Sequence, residues 1–104
     1  MDVYQDYVNK LKVYFKGKNV KNLFLHGGCY FFAKNLVKKL KGGRIYWNRK
    51  LMHCAVLYDK QLYDFTGKIS KKDFIPADES AIKYMEKHFV PDFDVQRLQS
   101  YLNA

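Results

Sequence analysis

Between Arg44 and Thr66 the spacing of the apolar runs leaves little choice of structure. RIYWN (44–48), LMHCAVLY (51–58) and QLYDFT (61–66) are dense in Ile, Tyr, Trp, Val and Phe, and Asn48-Arg49-Lys50 and Asp59-Lys60 between them are turn formers. Short aromatic and β-branched runs read as strands. A parallel crossover needs a dozen or more residues, so two- and three-residue connections force an antiparallel meander.

The second turn also sets the register. With Asp59-Lys60 as a two-residue hairpin loop, Tyr58 opposes Gln61 and His53 faces Thr66. Asp64 then lies on the same face as His53 and diagonal to it, close enough for the two side chains to touch. A three-residue loop would shift parity and send them to opposite faces. Leu51, Ala55, Leu57 and Leu62 share the His53 face. Cys54 points the other way with Met52, Val56, Tyr58, Tyr63 and Phe65, and is expected to be an inert core thiol.

Helical patterns flank the meander. Asp2 can cap a first helix whose stripe is Tyr4, Tyr7, Val8, Leu11, Tyr14 and Phe15, ended by Gly17-Lys18-Asn19. Val20 to Leu25 is an apolar passage expected to be extended. A second helix is predicted from Cys29 to Lys41, with Cys29, Phe32, Ala33, Leu36, Val37 and Leu40 on one face. Gly42-Gly43 stop it, and Lys34, Lys38 and Lys41 form a basic stripe opposite. This helix is expected to cover the Ala55 and Leu62 face. Two short helices close the chain, one capped near Asp78 and one after Pro91. The class is therefore α+β: N-terminal helices on a three-stranded antiparallel meander, followed by C-terminal helices, in a single domain over 1–104.

At 104 residues with 48% hydrophobic side chains, the chain supports one core and disorder is excluded. Two cysteines are too few for a disulfide framework, so reduced thiols are expected. No run reaches membrane-spanning length, and MDVYQDYVNKLK lacks a signal-peptide core, which predicts a cytoplasmic protein without a membrane partner. Net charge is +9 and unevenly spread. Residues 1–72 hold sixteen Lys/Arg against four Asp/Glu, and residues 73–104 hold three against six. Such a body attracts an acidic protein surface, a nucleoprotein or nucleic acid. Only three of the cations are arginines, Arg44, Arg49 and Arg97, so base-specific readout has few candidates.

The string HGGCYFFA (26–33) carries the chemistry. Two glycines precede a cysteine that opens a helix, where the dipole and a nearby imidazolium lower a thiol's pKa. Cys29 is the candidate nucleophile, His53 the base that takes its proton, and Asp64 the group that orients and stabilises the imidazole. Backbone N–H groups at Gly28, Cys29 and Tyr30 are candidates for holding an oxyanion, with His26 as a side-chain candidate.

Gly27-x-Cys29-x-x-x-Ala33-x-x-Leu36, then His53-x-x-Val56, then Tyr63-Asp64-x-Thr66-Gly67 resembles the core of transglutaminase-like and papain-like cysteine domains, and the wording is similar to small bacterial and phage proteins. The resemblance implies a Cys29, His53, Asp64 triad and an amide-hydrolysing or acyl-transferring ancestry. Two alternatives stand beside it. Cys29, His53 and Asp64 are also competent zinc ligands. A small basic phage protein could instead bind a host nucleoprotein without catalysis, as anti-CRISPR proteins do, through Lys34, Lys38 and Lys41.

Overall fold

The computed structural model describes residues 2–16, 19–25 and 27–103. Its elements are α1 (Asp2–Tyr14), α2 (Val20–Leu25), α3 (Cys29–Lys39), β1 (Arg44–Asn48), β2 (His53–Tyr58), β3 (Gln61–Asp64), β4 (Gly67–Ile69), β5 (Ile75–Pro76), α4 (Glu79–His88) and α5 (Val95–Leu102). The class is α+β, as the sequence implies, with a wider sheet than expected. Five strands run in the order β4-β3-β2-β1-β5, every pairing antiparallel. The three expected strands are its centre, and the lysine-rich segment after Thr66 supplies β4 as a further strand.

Asp59 (φ 50°) and Lys60 (φ 65°) both take positive φ, the signature of a type I′ turn. Tyr58 pairs with Gln61, Leu57 with Leu62 and Val56 with Tyr63, which is the register read from the sequence. Asp78 and Asp94 cap α4 and α5 by accepting from the amides of Ala81 and Arg97. Among the described residues no helix is long and apolar enough to cross a membrane.

Two expectations are corrected. Val20–Leu25 is helical, not extended; six residues are too few for a 3.6 period to show. And α3 covers the other face of the sheet. Its buried Cys29, Phe32, Ala33 and Leu36 belong to one core with Trp47, Cys54, Val56 and Phe65. Ala55 and Leu62 are equally buried but lie outside that cluster. Their cover follows from topology: β4 and β5 are opposite edges, so the link 70–74 must pass over the sheet, and Phe74 from it stands edge-on to His53 with ring centroids 6.2 Å apart. Gly17, Lys18 and His26 lie outside the described residues, as does the side chain of Asp2, so the cap, the helix stop and the oxyanion side chain expected there do too.

Candidate active site

Cys29 is placed by the turn between α2 and α3. Gly27 has φ +85°, and the Gly28 amide donates to the Leu23 carbonyl at 3.1 Å, closing α2 with a Schellman-type bond. A Cβ on Gly28 would lie 2.4 Å from the Leu23 carbonyl oxygen, and one on Gly27 would lie 2.9 Å from that of Val90. Both glycines are therefore required by backbone packing. The same bond corrects one expectation: the Gly28 N–H is occupied and cannot hold an oxyanion. Cys29 and Tyr30, in the first turn of α3, have no side-chain cap and keep amides pointing out of the helix start.

Asp64 is held on every oxygen. Its Oδ2 lies 2.8 Å from His53 Nε2. Its Oδ1 accepts from the Thr66 amide at 2.8 Å and from the Thr66 hydroxyl, and its carbonyl accepts from the Tyr4 hydroxyl. An unpaired carboxylate in an apolar strand would be costly; this one is fully satisfied. Burial acts to raise its pKa, yet the hydrogen bonds from His53 and Thr66 prevail and hold it below the ordinary carboxylate value. Sequence reasoning finds His53 as the partner but misses Thr66 and Tyr4. Asp-x-Thr is a recognisable local turn pattern; nothing in the sequence marks Tyr4.

His53 opens β2, opposite Asn48. Burial alone would lower its pKa, but hydrogen bonds with Asp64 and Cys29 raise it from 6.5 to about 9. With Nε2 turned to Asp64, the ring's other nitrogen is the one available to the thiol.

The sulfur of Cys29 lies 4.0 Å from the Met52 carbonyl and is 1% exposed. Its pKa falls from 9.0 to about 5, first through a hydrogen bond with Cys54, which outweighs burial, and then through His53. Cys54 is buried and keeps its proton, as expected of an inert core thiol, but its place in the fold differs from the one expected. It does point away from the His53 face, but that is the face α3 covers, so Cys54 sits beside the candidate nucleophile Cys29. Hydrogen bonding with Cys29, and then burial, push its own thiol far above the ordinary range. Its sulfur also lies 2.9 Å from Met85 Sδ. Cys54 stays protonated and has one S–H to give, for which a thiolate is a stronger acceptor than a thioether.

His53 and Asp64 pair across the hairpin, and Cys29 influences His53 from the face of the sheet opposite to the one expected. Because His53 is the first residue of its strand, Cys29 meets Cys54 and His53 together at the strand's end. Chemically, the cluster can hold a thiolate beside an imidazolium and relay one proton.

A comparison with protein-family models matches residues 7–103 to the family described as phage YunG-like protein. The chain belongs to the phage YunG-like family. No curated protein and no solved structure matches it. Membership makes this a small phage-type protein, in keeping with the phage likeness of its wording.

In this YunG-like protein the zinc alternative finds no support. Among the described residues no group of three or more His, Cys, Asp or Glu could hold a metal ion. Both Asp64 oxygens are already committed, to His53 and Thr66. The basic stripe is also less uniform than its spacing suggests. Lys34 pairs with Glu86 at 3.5 Å, whereas Lys38 and Lys41 are exposed, with Lys41 beyond the end of α3.

Proposed function

We propose that this phage YunG-like protein is a small cysteine enzyme that cleaves or transfers acyl groups. The Cys29 thiolate attacks the carbonyl carbon of an amide or ester, and the amides of Cys29 and Tyr30 receive the developing oxyanion. The C–N or C–O bond breaks, His53 gives its proton to the leaving group, and a thioester remains on Cys29. Water or a second nucleophile then loses a proton to His53 and attacks the thioester carbonyl. The C–S bond breaks, the acyl group leaves as an acid or on the second nucleophile, and the Cys29 thiolate and His53 imidazolium are restored. Asp64 orients the ring and stabilises its cation throughout.

The observation that carries this reading is the buried 2.8 Å pair of His53 and Asp64 beside the lowered thiol of Cys29. Alkylation by iodoacetamide, followed by mass spectrometry across pH, tests it. Cys29 should be modified far faster than Cys54, with a midpoint well below pH 8, and His53→Ala should slow it by at least tenfold, the usual order for losing a proton-transfer partner. Equal, slow modification of both cysteines would overturn the reading.

The net charge of +9 and the exposed Lys38 and Lys41, beside a Cys29 that is only 1% exposed, favour a second reading, a phage-encoded binder of an acidic host nucleoprotein. In that case Cys29→Ala leaves the biological effect intact, while Lys38→Glu with Lys41→Glu abolishes it.

A further inference from the structure

On the Met52 side of the candidate site, with Cys29 not itself in the lining, is an open cleft of about 450 Å³ lined by Trp47, Met52, Ile75 and Tyr84, with Arg49 and Asp78 among its polar groups. Met52 joins it to the candidate site, since the Met52 carbonyl lies 4.0 Å from the Cys29 sulfur. Three of the apolar linings face solvent: Met52 is 41% exposed, Tyr84 42% and Ile75 50%. Leu51, the neighbour of Met52, is 69% exposed. Apolar side chains gathered at one opening, instead of scattered, mark a surface that expects a ligand.

At the cleft the cations Arg49 and Lys50 outnumber the one lining carboxylate, Asp78. The Arg49 guanidinium stacks over Trp47, 5.7 Å from the ring centroid, and among the described residues no carboxylate lies within ion-pair distance of it. Asp78 spends its carboxylate on capping α4, 2.8 Å from the Ala81 amide. Lys50, exposed beside Arg49, adds a second cation.

We propose that this cleft is the substrate site of the same enzyme, taking a peptide in which a large apolar side chain is followed by a carboxylate. The apolar side chain packs against the paired rings of Trp47 and Tyr84, whose centroids are 6.0 Å apart, and the carboxylate meets Arg49. The assignment of this ligand to the acyl side of a reaction rests on the function proposed above. The binding itself does not depend on turnover.

Trp47 is the chain's one tryptophan, so its fluorescence reports the cleft directly. Full-length Cys29→Ala protein is titrated with the tetrapeptides Ac-Gly-Phe-Asp-Gly-NH2 and Ac-Gly-Phe-Lys-NH2 extended by glycine to equal length. The Asp peptide should quench or shift Trp47 saturably and bind about tenfold more tightly than the Lys peptide, the scale of one charge-assisted hydrogen bond. Arg49→Glu, at an exposed position, should reverse that order, and Tyr84→Ala should weaken both peptides. In wild-type protein the Asp peptide should also protect Cys29 from alkylation. No saturable response, or the same order of affinity in Arg49→Glu, overturns the proposal. If Cys29 proves unreactive while the peptide order and its reversal hold, the acyl chemistry fails and the binding site stands.

Discussion

Replacing Cys29 with alanine should change the direction in which stability responds to pH. In the folded chain the thiol titrates near 5 against 9.0 unfolded, and His53 near 9 against 6.5. A depressed thiol contributes stability that is complete above pH 9 and is lost as pH falls through 5. A raised imidazole contributes stability that is complete below pH 6.5 and is lost as pH rises through 9. Between pH 5 and 6.5 only the thiol differs between the two states, so the unfolded chain carries one more proton and stability climbs with pH. At about 1.4 kcal/mol per pH unit the climb is about 2 kcal/mol. Between 6.5 and 9 the folded chain holds a thiolate and an imidazolium where the unfolded chain holds a neutral thiol and a neutral ring. Proton counts are then equal and the two effects cancel.

In Cys29→Ala the climb below pH 6.5 disappears, and His53, still bonded to Asp64, acts alone. Stability then falls as pH rises above 6.5, by up to about 1.4 kcal/mol per unit until the imidazole has titrated. Urea unfolding at pH 5, 6.5 and 8 reads both proteins. With a slope of about 1 to 2 kcal/mol/M for a chain of this size, the wild-type midpoint should rise by roughly 1 to 2 M from pH 5 to 6.5 and then stay level. The variant's midpoint should fall from pH 6.5 to 8. A wild-type midpoint that stays level below 6.5 and declines above it would mean that Cys29 remains protonated and that His53 titrates by itself.

Three other outcomes follow from local geometry. Gly28→Ala places a Cβ 2.4 Å from a backbone oxygen that cannot swing away; it should cost about 2 kcal/mol or more and lower Tm by roughly 10 °C, which calorimetry checks. Asp59→Asn with Lys60→Gly puts residues suited to left-handed backbone at φ 50° and 65°, and should stabilise by about 1 kcal/mol, seen as a Tm gain near 5 °C. Thr66→Val keeps the amide bond to Asp64 Oδ1 but removes the hydroxyl bond, and should cost about 1 kcal/mol in urea unfolding while slowing Cys29 alkylation.

The hairpin was legible because a period of two and a two-residue turn leave one register that puts His53 and Asp64 together. Asp64 itself was a signal: a carboxylate between Tyr63 and Phe65 needs a partner, and His53 was the one in diagonal reach. The side of the sheet that α3 covers was not legible. Both faces of the meander carry enough apolar surface, Cys54, Val56 and Phe65 on one and Ala55 and Leu62 on the other, and pattern alone does not choose between them. The choice depends on what covers the second face, and the link 70–74 gives little sign of that role, being rich in lysine with Phe74 as its one aromatic. β4 and β5, at three and two residues, are too short for alternation to register.

Gly27, Gly28 and Cys29 differ in what stability alone would demand. The glycines follow from packing: Leu23 and Val90 carbonyls occupy the space where side chains would be. A chain with no activity would need them equally, so the glycine context is weaker support for catalysis than its appearance in the sequence suggests. His53 and Asp64 are different. Burying an ionised pair removes both groups from water, and well-packed apolar residues in their place are commonly as stable or more so. Thr66 and Tyr4 bond to Asp64 as well, so that two further polar groups are committed to holding one carboxylate still. Folding can dispense with such a network, whereas a proton relay to Cys29 cannot.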